Sequence, residues 1–187
     1  MGNNAAIRRR RRLWAHGIGL PGDNCKIIEV AQRVQDHLNA PVLGGLAVYL
    51  HGYRRTTTDL DLYVEDRTEA NERLRAAGAS WRSKKREFVL EHVPIHTVTP
   101  QDAKHRVRST KLIDGVYVVG LTDLIAIKLL CKTWKHGGDV TELIRDVHLD
   151  KRLSRWLPPS QRPRYEELVV AVRAAERERE RKGLPRF

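Results

Sequence analysis

The segment DLDLYV at positions 59–64 alternates between acidic and apolar side chains over its first four residues. In a β-strand, side chains two positions apart point to the same face of the sheet. Asp59 and Asp61 therefore share one face, while Leu60, Leu62 and Val64 occupy the other. A strand of this kind is half-buried and needs a packed layer against its apolar face. The segment predicts a sheet with a core on one side and two adjacent carboxylates on the other.

Two carboxylates this close repel each other unless a cation lies between them. Magnesium is a suitable cation, because it binds one or two protein carboxylates and completes its coordination with water and phosphate oxygens. We therefore predict that Asp59 and Asp61 are ligands of Mg²⁺ or Mn²⁺.

A glycine pair stands shortly before the aspartates. The short strand PVL runs into Gly44 and Gly45, and LAVYLHG then has the pattern of a short helix. Glycine lets the backbone approach a ligand closely, and N–H groups at a helix start face anions. Arg55 and Thr57 can donate further hydrogen bonds. The segment thus predicts a phosphate site beside a metal site, the layout required for in-line attack on a phosphoryl group.

The remaining pattern predicts an α+β fold: a small mixed β-sheet with helices packed on one face, plus a C-terminal helical extension. A turn at Asp114–Gly115 is expected before a further short strand, and Thr122 is expected to cap the helix that follows. Further helices should begin near Asp139 and near Tyr165. The other predicted elements are a helix over 25–38, a helix over 68–78, a hairpin over 86–100 and a strand over 116–120. As domains we predict a basic flexible arm (1–23), a core (24–120) and a C-terminal helical region (121–187).

The charge of the chain indicates the class of partner. There are 35 Lys and Arg against 23 Asp and Glu, a formal net charge of +12. Such a surplus concentrates polyanions near the surface, and RNA is one of them. The longest apolar runs fall far below the roughly 20 residues of a membrane span, so no membrane partner is expected. Cys25 and Cys131 lack metal-type spacing, which favours reduced thiols in a cytoplasmic protein.

The central motif resembles that of the minimal nucleotidyltransferases of the DNA polymerase beta-like superfamily, and within it the AbiEii-type toxin nucleotidyltransferases. The family's GG motif is matched by Gly44 and Gly45. Its R-x-[ST]-x-D-[IL]-D signature is matched at positions 55–61. The resemblance covers roughly residues 42–149. It implies the nucleotidyltransferase fold, an NTP substrate, and roles for Lys128 in contacting the nucleotide phosphates and for Asp139 in bracing the tail.

The chain departs from this family at the third carboxylate. The strand that should carry it reads VPIHTVTP, and the matching position holds His96. Three interpretations remain open: His96 acts as the base or as a soft metal ligand, Glu91 or Asp102 supplies the carboxylate, or the third ligand is lost. An imidazole accepts a proton near neutral pH but is a poor replacement for an oxygen ligand of Mg²⁺.

The function expected from these features is metal-dependent transfer of an NMP from an NTP to a hydroxyl acceptor. The charge favours an RNA acceptor, with the tRNA 3′ end the first choice. The resemblance implies a role as a toxin with an antitoxin partner, or in defence. The alternatives are a protein- or antibiotic-modifying nucleotidyltransferase and a catalytically degenerate RNA-binding module, which the missing third carboxylate favours.

Overall fold

The computed structural model describes residues 22–131 and 134–184. In these residues the chain forms one mixed sheet of seven strands, surrounded and followed by helices. The strands are β1 Val42–Leu43, β2 Leu60–Tyr63, β3 Ser80–Arg82, β4 Glu87–Leu90, β5 Val93–Val98, β6 Thr110–Ile113 and β7 Val116–Val119. The α-helices are α1 Gly22–Gln35, α2 Gly44–Leu50, α3 Arg67–Ala76, α4 Pro100–Ala103, α5 Leu121–Leu130, α6 Trp134–Asp146 and α7 Arg162–Arg181, and the 3₁₀ helices Lys151–Trp156 and Pro159–Gln161 precede α7.

The strand order is β3-β4-β5-β2-β1-β7-β6. β2 pairs parallel with β5 and antiparallel with β1, and β1 pairs parallel with β7. Towards the two edges of the sheet, β3, β4 and β5 form an antiparallel meander, and β6 and β7 form an antiparallel hairpin. This mixed sheet with its C-terminal helices confirms the predicted α+β fold.

The central strand β2 has the predicted alternation. Leu60 and Leu62 are fully buried, whereas Asp59 and Asp61 keep part of their surface exposed. Asp61 lies opposite Leu43 of β1 on one side and opposite His96 of β5 on the other. Because Gly44 directly follows Leu43, the register brings the glycine pair, the aspartate and the histidine together.

Two sequence predictions about helix starts are wrong. Thr122 does not cap α5, because the N-cap position is Gly120 and no side chain caps this helix. The next helix begins at Trp134, not near Asp139. In both segments the backbone is already helical before the polar residue that the prediction placed at the helix start.

Other boundaries differ less. α1 begins at Gly22 and α7 at Arg162, each three residues before the predicted start. β3 and β6 are strands that the sequence pattern did not predict. The Asp114–Gly115 turn is confirmed, since both residues have positive φ (52° and 76°), as a tight hairpin requires. The basic arm at 1–23 lies almost entirely outside the described residues, and no described helix is long and apolar enough to cross a membrane.

Candidate metal and nucleotide site

Asp59, Asp61 and His96 form the centre of the candidate site. One potential ligand atom from each of the three lies within 4.8 Å of the others. Nδ1 of His96 is 3.4 Å from Oδ1 of Asp61 and 3.9 Å from Oδ2 of Asp59. All three side chains are half-buried, so solvent and a ligand can reach them. The β2–β5 register produces this arrangement, because it pairs Asp61 with His96 directly.

The cluster has a strong preference for positive charge. The pKa of His96 is raised from 6.5 to about 8, chiefly by hydrogen bonding to Asp61, in opposition to desolvation. The negative charges of Asp61 and Asp59 and a contact with Glu87 raise this pKa further. A site that retains a proton this firmly offers the same electrostatic attraction to a divalent cation.

Gly44 leaves the space that Asp61 occupies. Its φ is +67°, and a Cβ placed on it would lie 1.8 Å from Oδ2 of Asp61. Any side chain at this position would therefore displace the carboxylate. Glycine is required here for its backbone conformation and also because the backbone lies directly against the acidic group.

Gly45 likewise leaves space for side chains of the loop that precedes β2. A Cβ on Gly45 would lie 2.5 Å from Oγ1 of Thr57 and 3.4 Å from Nη2 of Arg55. Thr57 is buried and its hydroxyl donates a hydrogen bond of 2.8 Å to Oδ1 of Asp59. The glycine pair, Arg55, Thr57 and the aspartates are thus in close proximity, as the sequence pattern suggested.

Asn24 holds this loop in place, and sequence reasoning did not identify it. It is fully buried, its amide donates to the carbonyl of Arg55 at 2.8 Å, and its Oδ1 accepts from the backbone N–H of Thr57 at 3.1 Å. It lies in the first turn of α1, outside every motif, so no sequence signal marked it.

Arg55 and Lys128 both contact Asp139. Nη1 of Arg55 is 2.5 Å from Oδ1, and Nζ of Lys128 donates to Oδ2 at 2.8 Å. The side chains of Lys128 and Asp139 are each 5% exposed and that of Arg55 is 15% exposed. Two cations contact one carboxylate, and Arg55 also lies beside Gly45. Arginine and lysine are the side chains that commonly bind phosphate groups.

The two alternative sources of a third carboxylate lie elsewhere. Glu91 pairs with Lys26 and Arg33, and these contacts lower its pKa. Asp102 closes the capping box of α4 and pairs with Arg67, and its pKa is also lowered. In the part of the chain that the structure describes, the acidic cluster contains His96 and neither of these residues.

Glu87 is a further acidic residue near the cluster that sequence reasoning missed. Its side chain is 8% exposed, and Oε2 lies 3.5 Å from Nε2 of His96. The antiparallel register of β4 and β5, which pairs Phe88 with Ile95, extends to place Glu87 beside His96. The signal was present in the predicted hairpin, because pairing its two strands in register puts these residues opposite each other.

The residues fit a divalent cation. Two carboxylates and an imidazole are ligand types that divalent metals use in proteins, and Gly44 leaves the space that one of the carboxylates needs. Asp59 accepts a hydrogen bond from the hydroxyl of Thr57, and Asp61 lies beside the ring of His96.

No protein-family model matches the sequence, and no curated protein matches it. Among solved structures, the crystal structure of a "putative nucleotidyltransferase" from Helicobacter pylori is similar to the chain, with 13% identity and a TM-score of 0.50 over 81% of this chain and 80% of that one. The structure of JHP933 from Helicobacter pylori matches at 14% identity and a TM-score of 0.40, covering 86% of this chain and 93% of that one. The chain therefore has a nucleotidyltransferase-like fold.

Proposed function

We propose that the protein is a metal-dependent nucleotidyltransferase that moves an NMP from an NTP to a hydroxyl acceptor. The observation that carries the proposal is the Asp59–Asp61–His96 cluster, set against Gly44 in a nucleotidyltransferase-like fold. Asp59 and Asp61 would hold Mg²⁺ or Mn²⁺, and a cation held there would supply positive charge that offsets the triphosphate and polarises the phosphoryl oxygens.

The phosphates lie against the glycine pair. Gly44 and Gly45 allow close approach of the backbone, Thr57 orients Asp59, and Arg55 and Lys128 supply positive charge. Asp139 restrains the side chains of Arg55 and Lys128 through its ion pairs with both. This arrangement fixes the triphosphate before the acceptor arrives, which lowers the entropic cost of the reaction.

In the reaction, the acceptor oxygen forms a bond to the α-phosphorus and the bond from the α-phosphorus to the bridging oxygen breaks. Pyrophosphate leaves, and the proton of the hydroxyl passes to a carboxylate oxygen of Asp59 or Asp61, beside His96. The two aspartates and His96 are therefore the catalytic residues of the proposal.

The acceptor that we propose is RNA, with the tRNA 3′ end as the first choice. The net charge of +12 supports a polyanionic acceptor. A cationic antibiotic would require an acidic binding surface, which this charge disfavours.

From the resemblance to AbiEii-type enzymes we further propose a toxin role with a cognate antitoxin. Growth arrest on expression of the parent chain, absent with Asp61→Asn, is the expected result.

The test is to incubate the full chain with each NTP labelled at the α-phosphate, with Mg²⁺ or Mn²⁺ and total tRNA. We expect labelled tRNA that disappears in Asp59→Asn and Asp61→Asn. Labelled protein without labelled tRNA would favour the protein-modifying alternative. A tRNA gel shift that weakens with salt, without any labelling, would show an RNA-binding module and would contradict the proposed enzyme.

A further inference from the structure

The ring of His96 lies between two separate groups of carboxylates. Nδ1 faces Asp59 and Asp61 at 3.9 and 3.4 Å, whereas Nε2 faces Oε2 of Glu87 at 3.5 Å. The ring therefore lies between the two half-buried aspartates and a buried acid on β4. The two ring nitrogens therefore have different chemical environments.

Glu87 is costly to bury in its present surroundings. It is 7% exposed, and Oε1 accepts no hydrogen bond from the described residues. The nearest cation on that side is Arg82, with Nη1 at 3.8 Å from Oε1. A buried carboxylate needs a hydrogen-bond donor, and the N–H of an imidazole is one. Nε2 of His96 lies 3.5 Å from the other carboxylate oxygen, Oε2, and is the ring atom that can donate to this carboxylate.

A proton fixed on Nε2 leaves the lone pair of a neutral imidazole on Nδ1. That lone pair faces the two aspartates, where a cation would be bound. Histidines that ligate metals characteristically donate their other ring N–H to a carboxylate, which fixes the tautomer and the orientation of the ring. Glu87 lies on the Nε2 side of His96, where such a hydrogen bond would form.

Resting on the nucleotidyltransferase function above, we propose that His96 binds the divalent cation directly through Nδ1, as the third ligand beside Asp59 and Asp61, and that Glu87 is its positioning residue. A nitrogen ligand in place of a carboxylate favours Mn²⁺ over Mg²⁺, because Mg²⁺ prefers oxygen ligands and follows a stricter geometry. The substitution of the third carboxylate thus changes the metal preference of the site and does not abolish the site.

The direct test uses Mn²⁺ and the full chain, with electron spin echo envelope modulation as the readout. We expect bound Mn²⁺ to show the ¹⁴N modulation of one imidazole, and we expect the modulation to disappear in His96→Asp although Mn²⁺ remains bound. The matched control is His92→Asn at the exposed β4–β5 turn, where φ is +72° and asparagine is well tolerated. This control should retain the modulation.

The outcomes separate this proposal from the proposed function. Mn²⁺ binding that Asp61→Asn abolishes, but that shows no ¹⁴N modulation, would overturn the His96 assignment while the two-aspartate site stands. A chain that binds no Mn²⁺ at a defined site would also overturn it. The tRNA-labelling assay then reports independently on nucleotidyl transfer.

Glu87 is tested by Mn²⁺ affinity. We expect Glu87→Gln to retain the ¹⁴N modulation but to weaken Mn²⁺ binding about 10-fold or more, the usual effect of losing such a carboxylate. Glu72→Gln, an exposed carboxylate on α3, should leave affinity unchanged. His96→Asp should shift the Mn²⁺-to-Mg²⁺ affinity ratio about 10-fold toward Mg²⁺. An unchanged affinity in Glu87→Gln would overturn the role of Glu87. So would ¹⁵N NMR of the parent chain that shows the proton of neutral His96 on Nδ1, and this measurement needs no variant.

Discussion

The carboxylate of Asp61 occupies the space into which a side chain on Gly44 would extend, since a Cβ there would lie 1.8 Å from Oδ2. The antiparallel register of β1 and β2 pairs Leu43 with Asp61 and so sets this contact. The first glycine of the pair therefore belongs to the acidic cluster as much as to the phosphate site. The phosphate site and the acidic cluster therefore meet where the backbone of Gly44 lies against the carboxylate of Asp61.

Gly44→Ala should abolish nucleotidyl transfer, with a loss of at least about 100-fold, because the methyl group displaces Asp61. The variant should also lose roughly 1–2 kcal/mol of unfolding free energy from its positive φ. The measurements are tRNA labelling and urea denaturation.

Gly78→Ala is the matched control for this variant. Gly78 has φ +89°, but a Cβ there meets its nearest atom at 3.7 Å, an ordinary contact. It should lose similar stability and keep its activity. Equal loss of activity in both variants would mean that the effect is general destabilisation.

The protonation of His96 should make the stability of the metal-free protein depend on pH. Its pKa is raised from 6.5 to about 8, first by the hydrogen bond to Asp61. Because the folded pKa is the higher one, the stabilisation is complete below pH 6.5 and is lost as pH rises through 8. The ring is 39% exposed, so after allowance for solvent screening we expect about 1 kcal/mol.

The measurement compares His96→Gln with the parent chain in excess chelator at pH 6 and pH 9. The variant should be less stable at pH 6 and nearly equal at pH 9. A difference that is the same at both pH values would show that the ring stabilises the fold by packing and not by its charge.

Thr57→Val should weaken cation binding with little effect on the fold. The hydroxyl of Thr57 donates to Oδ1 of Asp59 at 2.8 Å, and valine keeps the shape beneath Gly45 without that donor. We expect Mn²⁺ affinity to fall about 10-fold and the unfolding free energy to change by less than about 1 kcal/mol. Thr56→Val, at an exposed position, is the control, and an equal effect there would contradict the role of Thr57.

The parts of the fold predicted correctly are those with a strong local signal. The alternation at 59–62 identified β2 and its buried leucines, because a period of two is readable in four residues. Asp114–Gly115 identified a hairpin turn because few residue pairs adopt positive φ in succession. By contrast, β3 reads SWR and has only three residues, and β6 reads TKLI, which does not alternate and is mostly exposed.

The residues of the candidate site likewise divide into those that the local sequence predicted and those that tertiary packing brings to the site. Asp59, Asp61, Gly44 and Gly45 stand within one short segment, so their proximity followed from local spacing. Asn24 and Glu87 reach the site through tertiary packing: α1 against the 55–57 loop, and β4 against β5. No local pattern marks Asn24, whereas the position of Glu87 follows once the two strands of the predicted hairpin are paired in register. Of the three residues considered for the third position, the register of β2 and β5 places His96 beside the aspartates.

Asp139→Asn should destabilise the fold by about 3 kcal/mol, because it removes the buried carboxylate that Arg55 and Lys128 both contact. The double variant Asp139→Asn with Lys128→Met should recover part of this loss, since one of the two buried cations is then gone. Urea denaturation measures both. Glu167→Gln, which removes an exposed partner of Arg164, should cost less than about 0.5 kcal/mol.

The same variant also tests whether this cluster binds phosphate. A triphosphate supplies negative charge, so an NTP should raise the melting temperature of Asp139→Asn by more than it raises that of the parent chain. The comparison is made by thermal unfolding with and without the NTP that serves in the labelling assay. An equal or smaller shift in the variant would place the triphosphate away from Arg55 and Lys128 and would leave Asp139 with a purely structural role.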